Sequence, residues 1–174
     1  YVGSFAVYQG IELLFESIPI VLNSNLRVRF IIIGGEQSEI EAHSRRLTVH
    51  RERVCFLGLI DPDRLPAYLA ASDIVLAPRT SGINTPLKLL DSLKSNTAIV
   101  ATDTIANRQI LNNDCARLTQ FDAKSFSSAI IDLVDDCAER CRLAKNGYAR
   151  FWAGVSLIHI RRCRTKTMAC SRSS

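Results

Sequence analysis

Six short apolar runs punctuate the chain: YVGSF (1–5), RFIIIGG (29–35), VCFLG (54–58), DIVLAP (73–78), AIVAT (98–102) and the weaker ARLT (116–119). Each is apolar at successive rather than alternate positions, which predicts strands buried on both faces of a parallel sheet. Helical spacing fills the gaps. Ile11, Leu14, Phe15, Ile18 and Leu22 predict a helix over 9–22, and a charged stretch with sparse apolar points predicts another over 36–49. Asp61-Pro62 opens a helix over 62–72, as a cap followed by a first-turn proline should. Further helices are expected over 86–95 and 105–113, and 123–150 reads as two. Strand and helix in alternation imply right-handed crossovers. The expected fold is α/β, a Rossmann-like three-layer sandwich around a parallel sheet of about six strands. Ligands in such sheets bind at the carboxyl ends of the strands, so the chemistry belongs to loops 3–9, 34–38, 58–61, 78–85 and 102–107.

Composition changes this picture little. The 174 residues fit one domain, and 47% hydrophobic content supplies a core. No run approaches ~18 uninterrupted apolar residues, so no spanning helix is expected. The opening YVGSF reads as a strand with nothing before it, and the chain is expected to be an N-terminally truncated piece of a longer protein. The net charge of +5 sits at the other end: Arg161, Arg162, Arg164, Lys166 and Arg172 fall in a stretch from Val155 onward that holds no acid. The folded domain is therefore expected to span 1–152, with 153–174 a basic tail that is disordered or not biological. The alternative is a basic arm for RNA or membrane. Cys55, Cys115, Cys137 and Cys141 form no Cys-x-x-Cys pair and have no histidine beside them, which argues for free thiols and against zinc. His43 and His50 read as surface residues, Tyr148 and Trp152 as helix packing, and GGEQS (34–38) as a weak candidate phosphate loop.

The stretch TSGINTPLKLLDSLKS (80–95) carries the most chemistry. Thr85 can cap a helix that Pro86 begins. The amides of Leu87 and Lys88 would then face outward at the positive end of the dipole, an anion site to which Lys88 adds a full charge. Leu87, Leu89, Leu90 and Leu93 are expected to be buried. Lys88, Asp91, Ser92 and Ser95 form the opposite stripe, which is either a solvated face with an ordinary Lys88–Asp91 pair or a site. A carboxylate one turn in suits a diol such as ribose, and phosphate plus ribose describes a nucleoside diphosphate.

The run from Val54 to Leu111, VCFLGLIDPDRLPAYLAASDIVLAPRTSGINTPLKLLDSLKSNTAIVATDTIANRQIL, resembles the donor-binding domain of glycosyltransferase family 4, the retaining GT-B enzymes. YVGSFAVYQGIELLFESI resembles that family's opening strand, glycine loop and first helix, and the likeness covers roughly 1–150 in register. The resemblance implies one half of a GT-B fold, in which Asp91 stands where a glutamate binds the donor ribose. It places Lys88 near the diphosphate, with backbone contacts from Thr85, Leu87 and Lys88. Gly3 and Ser4 would line the diphosphate, and Gly58, Leu59 and Ile60 would border the base. A second glutamate, expected near the sugar, is replaced by Ile83, which leaves Asn84 or Ser81 to touch the sugar. Ser4 and Gln9 replace basic residues of the first loop, which leaves Arg79 and Lys88 as the charges for the diphosphate.

The implied function is transfer of a sugar, with retention, from a nucleotide-diphospho-sugar to an acceptor hydroxyl, Lys88 and Asp91 carrying the chemistry. No metal or other cofactor is implied. The partners implied are the sugar donor and a separate N-terminal acceptor domain, not nucleic acid. Without that domain the piece is expected to bind donor but not to turn over. The location implied is cytoplasmic, with peripheral membrane association of the full-length enzyme at the inner face. Two alternatives stay open: a nucleotide-sugar epimerase of the same architecture, and a non-catalytic nucleotide-binding or interaction module.

Overall fold

The structure, a computed structural model, describes the backbone of residues 1–170, with side chains described through residue 154. Five strands form: β1 (Phe30–Ile33), β2 (Val54–Gly58), β3 (Ile74–Ala77), β4 (Ala98–Thr102) and β5 (Arg117–Thr119). Seven α-helices alternate with them: α1 (Ile11–Ser24), α2 (Gln37–Arg46), α3 (Leu65–Ala70), α4 (Lys88–Lys94), α5 (Ile105–Arg108), α6 (Ala123–Asp135) and α7 (Cys137–Cys170). Every ladder is parallel. The hydrogen-bonded order is β1-β2 in one group and β3-β4-β5 in the other. The predicted first strand survives as Tyr1–Gly3, bridged to β1 at Val2 and Ile33. This segment pairs with β1 alone, so no ladder runs unbroken from β1 to β3 among the described residues. The expected single sheet of about six strands is in that respect divided.

Packing nevertheless unites the two groups. Tyr1, Phe30, Ile32, Leu76, Ala98 and Val100 share one core with α1 and α6, while Val75, Ile99 and Ala101 point into a second core with Leu89 and Leu93 of α4. Strand β4 is buried at every position because alternate residues serve opposite cores. That is why AIVAT is apolar without alternation.

Local chemistry sets several boundaries. Glu36 and Glu39 form a reciprocal capping box at the start of α2, so GGEQS presents carboxylates where a phosphate loop would present free amides. Asp61 accepts from Asp63 N and starts a 3₁₀ turn ahead of α3. The helix read over 105–113 shortens to α5, whose first turn Thr104 caps by accepting from Asn107 N. Asn96, at φ 56°, takes the left-handed conformation after α4. His43 is not a free surface residue: its ring stacks on Phe15 at 4.1 Å, and burial lowers its pKa. Tyr148 and Trp152 are about half exposed and meet edge to face on α7. α7 continues through Cys170, past the boundary read at residue 152, and residues 171–174 of the expected tail lie outside the described residues. No helix among the described residues is long and apolar enough to cross a membrane.

Candidate functional site

Three loops meet at the carboxyl edge of the strands. The first, residues 3–10, touches the loop after β3 backbone to backbone. Thr80 N donates to Tyr8 O, and a Cβ at Gly10 (φ 74°) would lie 1.7 Å from Pro78 O. Only glycine allows that approach. A Cβ at Gly34 would lie 2.1 Å from Gly3 O, so β1 approaches the first loop equally closely. The loop after β4 joins from the far side, where the Thr102 hydroxyl donates to Arg79 O.

Lys88 stands at this junction. Its ammonium donates to Val2 O at 3.0 Å and to Gln9 Oε1 at 2.9 Å. It lies 5.6 Å from the Tyr1 ring centroid and close against Gly3, where a Cβ would come within 2.5 Å of Nζ. Burial, then repulsion from Arg79, pulls its pKa down to about 8. Arg79 is 8% exposed, donates from Nε to Ser81 O and sits over the Tyr8 ring. Neither cation forms an ion pair with a described carboxylate. Two like charges, Arg79 buried and Lys88 half-buried, thus sit near one another without a described counter-ion, an arrangement that desolvation and repulsion both penalise.

Across Gly3 from the ammonium lies a cavity of about 590 Å³. It is lined by Gly3, Ser4, Gly35, Glu39, Leu59 and Ile60 among others. This gathers the expected Gly3, Ser4 and Leu59 into one place, and Gly58 O anchors the adjoining loop by accepting from Gly34 N. A second cavity, about 480 Å³, opens at the amino ends of the strands beside Phe30, Ile31 and Ile74. It is remote from these loops, and the ligand logic of parallel sheets favours the carboxyl edge.

Several expectations about 80–95 need correction. The helix starts at Lys88, not Pro86, and Thr85 does not cap it, because the Thr85 hydroxyl binds the Gln109 side chain instead. Pro86 and Leu87 form only a tight turn through Leu89 N→Pro86 O and Leu90 N→Leu87 O. With seven residues, α4 provides little dipole, so the site's positive charge comes from side chains. Leu87 is 67% exposed rather than buried, whereas Ser92 is buried. The ordinary Lys88–Asp91 pair does not form. Lys88 turns to Val2 and Gln9, while Asp91 is exposed and its carboxylate meets no described residue. Asn84 and Ile83 lie on the exposed loop, where Ile83 O accepts from Gln109 Nε2. Asn107, fully buried and bonded to Thr102, belongs to this junction as well. Its sequence context, IANR, gives no sign of that. Among the described residues, no group of three or more His, Cys, Asp or Glu is gathered closely enough to hold a metal ion.

Known proteins resemble this chain in sequence and in fold. A phosphatidyl-myo-inositol mannosyltransferase of Mycolicibacterium smegmatis is 27% identical over 131 residues, which cover 74% of this chain and 33% of that protein. Its counterpart in Mycobacterium tuberculosis is 27% identical over 106 residues, 60% of this chain and 27% of the relative. The chain thus spans about a third or less of the relatives it matches. Among solved structures, Anabaena Alr3699/HepE in complex with UDP superposes with a TM-score of 0.82 at 18% identity, covering 97% of this chain and 47% of that one. The C-terminal domain of a glycosyl transferase group 1 family protein (LpcC) from Francisella tularensis gives 0.75 at 19% identity, covering 87% and 82%. These two fix the fold as that of one GT-B half. The sequence profile described as "Glycosyl transferases group 1" matches residues 1–136, and by that match the chain belongs to the group 1 glycosyltransferase family.

Proposed function

We propose that this domain binds the nucleotide-diphospho-sugar of a retaining transferase, which passes the sugar to the hydroxyl of an acceptor held by a separate N-terminal domain. The observation that carries the reading is the uncompensated pair of a buried Arg79 and a half-buried Lys88 at the carboxyl edge of the sheet. A diphosphate arriving there supplies the missing negative charge. The cavity across Gly3 receives the nucleoside, with Leu59 and Ile60 along one wall, and the exposed carboxylate of Asp91 accepts from ribose hydroxyls. In transfer, charge grows on the leaving diphosphate, and fixed cations in a partly buried site lower the barrier more than water does. Lys88 and Arg79 fill that role in this scheme without a metal or other cofactor. The match to mannosyltransferases and to a structure holding UDP supports the donor class and leaves base, sugar and acceptor open.

The test is thermal stabilisation of the chain by UDP, GDP and the corresponding nucleosides. A diphosphate should raise Tm while its nucleoside does not, since a ligand at a hundred times its Kd adds about 2.7 kcal/mol. Equal, negligible shifts for all four would end the proposal. A second reading, nucleotide binding without catalysis, is favoured by Ile83, which is 76% exposed and puts no carboxylate beside the sugar. Under it, diphosphates bind but the full-length protein neither transfers nor hydrolyses the donor.

A further inference from the structure

We propose that Asn107 is a positioning residue for the Lys88 ammonium, acting through one water molecule held in the small void that both residues line. The proposal deepens the reading of Lys88 as the diphosphate's counter-charge and rests on it for its functional meaning.

Asn107 is fully buried. Its Nδ2 donates to Thr102 O at 2.8 Å and lies 3.3 Å from Thr102 Oγ1. These contacts fix the amide orientation, because the reverse would set its oxygen against a carbonyl oxygen. Oδ1 therefore faces away from Thr102, is buried and meets no donor among the described residues. Buried acceptors are seldom left so. Asn107 lines a void of about 10 Å³ together with Gln9, Arg79 and Lys88 and with the apolar Leu76 and Leu89. That is the least room one water needs, and Gln9, Lys88 and Asn107 supply polar partners for it.

Lys88 has three N–H donors and spends two on Val2 O and Gln9 Oε1. A water that accepts the third and donates to Oδ1 completes both groups at once. The ammonium is then held by the first loop on one side and by the loop after β4 on the other. It acts on the ligand as a fixed point charge rather than a swinging arm. Asn107 thereby does two jobs with one amide: Nδ2 ties Thr102, and so the Arg79 turn, into the junction, while Oδ1 aims the neighbouring cation.

The groups facing the ammonium are the Arg79 guanidinium from the β3 loop, the Tyr1 phenol ring and Gln9 amide from the first segment, and Asn107. The Asp91 carboxylate of its own helix is exposed and meets no described partner. With no carboxylate among the packed neighbours, a charge introduced at position 107 reports directly on Lys88.

The experiment is an NMR titration of the Lys88 ε-carbon in the labelled chain, assigned by loss of its signal in K88Q. Asn107→Asp should raise the Lys88 midpoint by about one unit, and Asn107→Leu, which fills the void and removes the acceptor, should lower it. Thr102→Val cuts the loop tie but keeps Oδ1, and should leave the midpoint in place. Unchanged midpoints in both Asn107 variants, or an equal shift in T102V, would overturn the proposal. If N107D does not fold, N107L decides alone on the same criterion. A parallel titration with inorganic pyrophosphate separates the two levels: a wild-type chain that ignores pyrophosphate sinks the diphosphate reading, whereas the Lys88 midpoints still judge Asn107.

Discussion

Backbone carbonyls hold Arg53 and Arg140 on one hand and Lys88 and Arg79 on the other, and the two pairs serve opposite ends. Arg53 donates to Leu22 O and Asn25 O at the end of α1, and Arg140 donates to Leu133 O and Val134 O at the end of α6. Each sits where a helix dipole is negative and orphan carbonyls need donors, so the cation and the fold gain together. Lys88 and Arg79 also bond carbonyls, yet one is half-buried and the other buried, they repel one another, and neither pairs with a described carboxylate. The first pair is complete without a ligand. The second is a local cost that an anion would remove, and that contrast marks it as functional.

The contrast can be broken most sharply at Lys88. Lys88→Gln should lower UDP affinity roughly ten- to a hundredfold, the worth of one charge-assisted contact at about 1.5–3 kcal/mol, as read by calorimetry, while the ligand-free chain loses no stability. Arg53→Ala should do the reverse. Unfolding in urea should show a loss of about 1–2 kcal/mol with UDP binding unchanged. An intermediate result is expected at Gly3, where a methyl group would meet the Lys88 ammonium at 2.5 Å and the Tyr1 hydroxyl at 2.7 Å. Gly3→Ala should weaken UDP binding by about three- to tenfold, less than one full charge-assisted bond, and lower Tm because the buried Tyr1 ring must shift as well.

The smallest effect is a pH dependence. The folded Lys88 pKa of about 8 lies below the ordinary 10.5, so between those values the unfolded chain binds more protons than the folded one. Stability from this group therefore rises as pH climbs through that window, while diphosphate affinity falls as the ammonium is lost. Denaturation and binding measured across pH 7.5–10.5 should show these opposed trends in the wild type and neither in K88Q. Parallel trends would mean that Lys88 is not the group responsible.

How much of this the sequence displayed depends on the range of the interactions. The strands were legible because β3 and β4 are buried on both faces, which leaves an uninterrupted apolar run. The carboxyl-edge loops followed from the alternation of elements alone. What stayed hidden were partners far along the chain. Thr85 has the composition of a cap, yet its hydroxyl goes to Gln109, 24 residues on. Lys88 and Asp91 have the spacing of a helical pair, yet the ammonium goes to Val2 and Gln9, 86 and 79 residues away. Leu87 shares the spacing of the buried leucines, but the helix begins one residue after it, so its side chain faces outward. Asn107 falls in the predicted ligand-edge loop 102–107, at the start of the helix expected over 105–113, yet only the fold brings it to the void beside Lys88.

The interlocked glycines carry a consequence for how such a site can diversify. With Gly10 against the Pro78 carbonyl and Gly34 against that of Gly3, the loops mesh like gear teeth. Side chains on their outer surface are free to vary, and substrate preference with them. Inserting or deleting a single residue in one loop would throw its neighbour out of mesh, so length changes should succeed only as matched pairs.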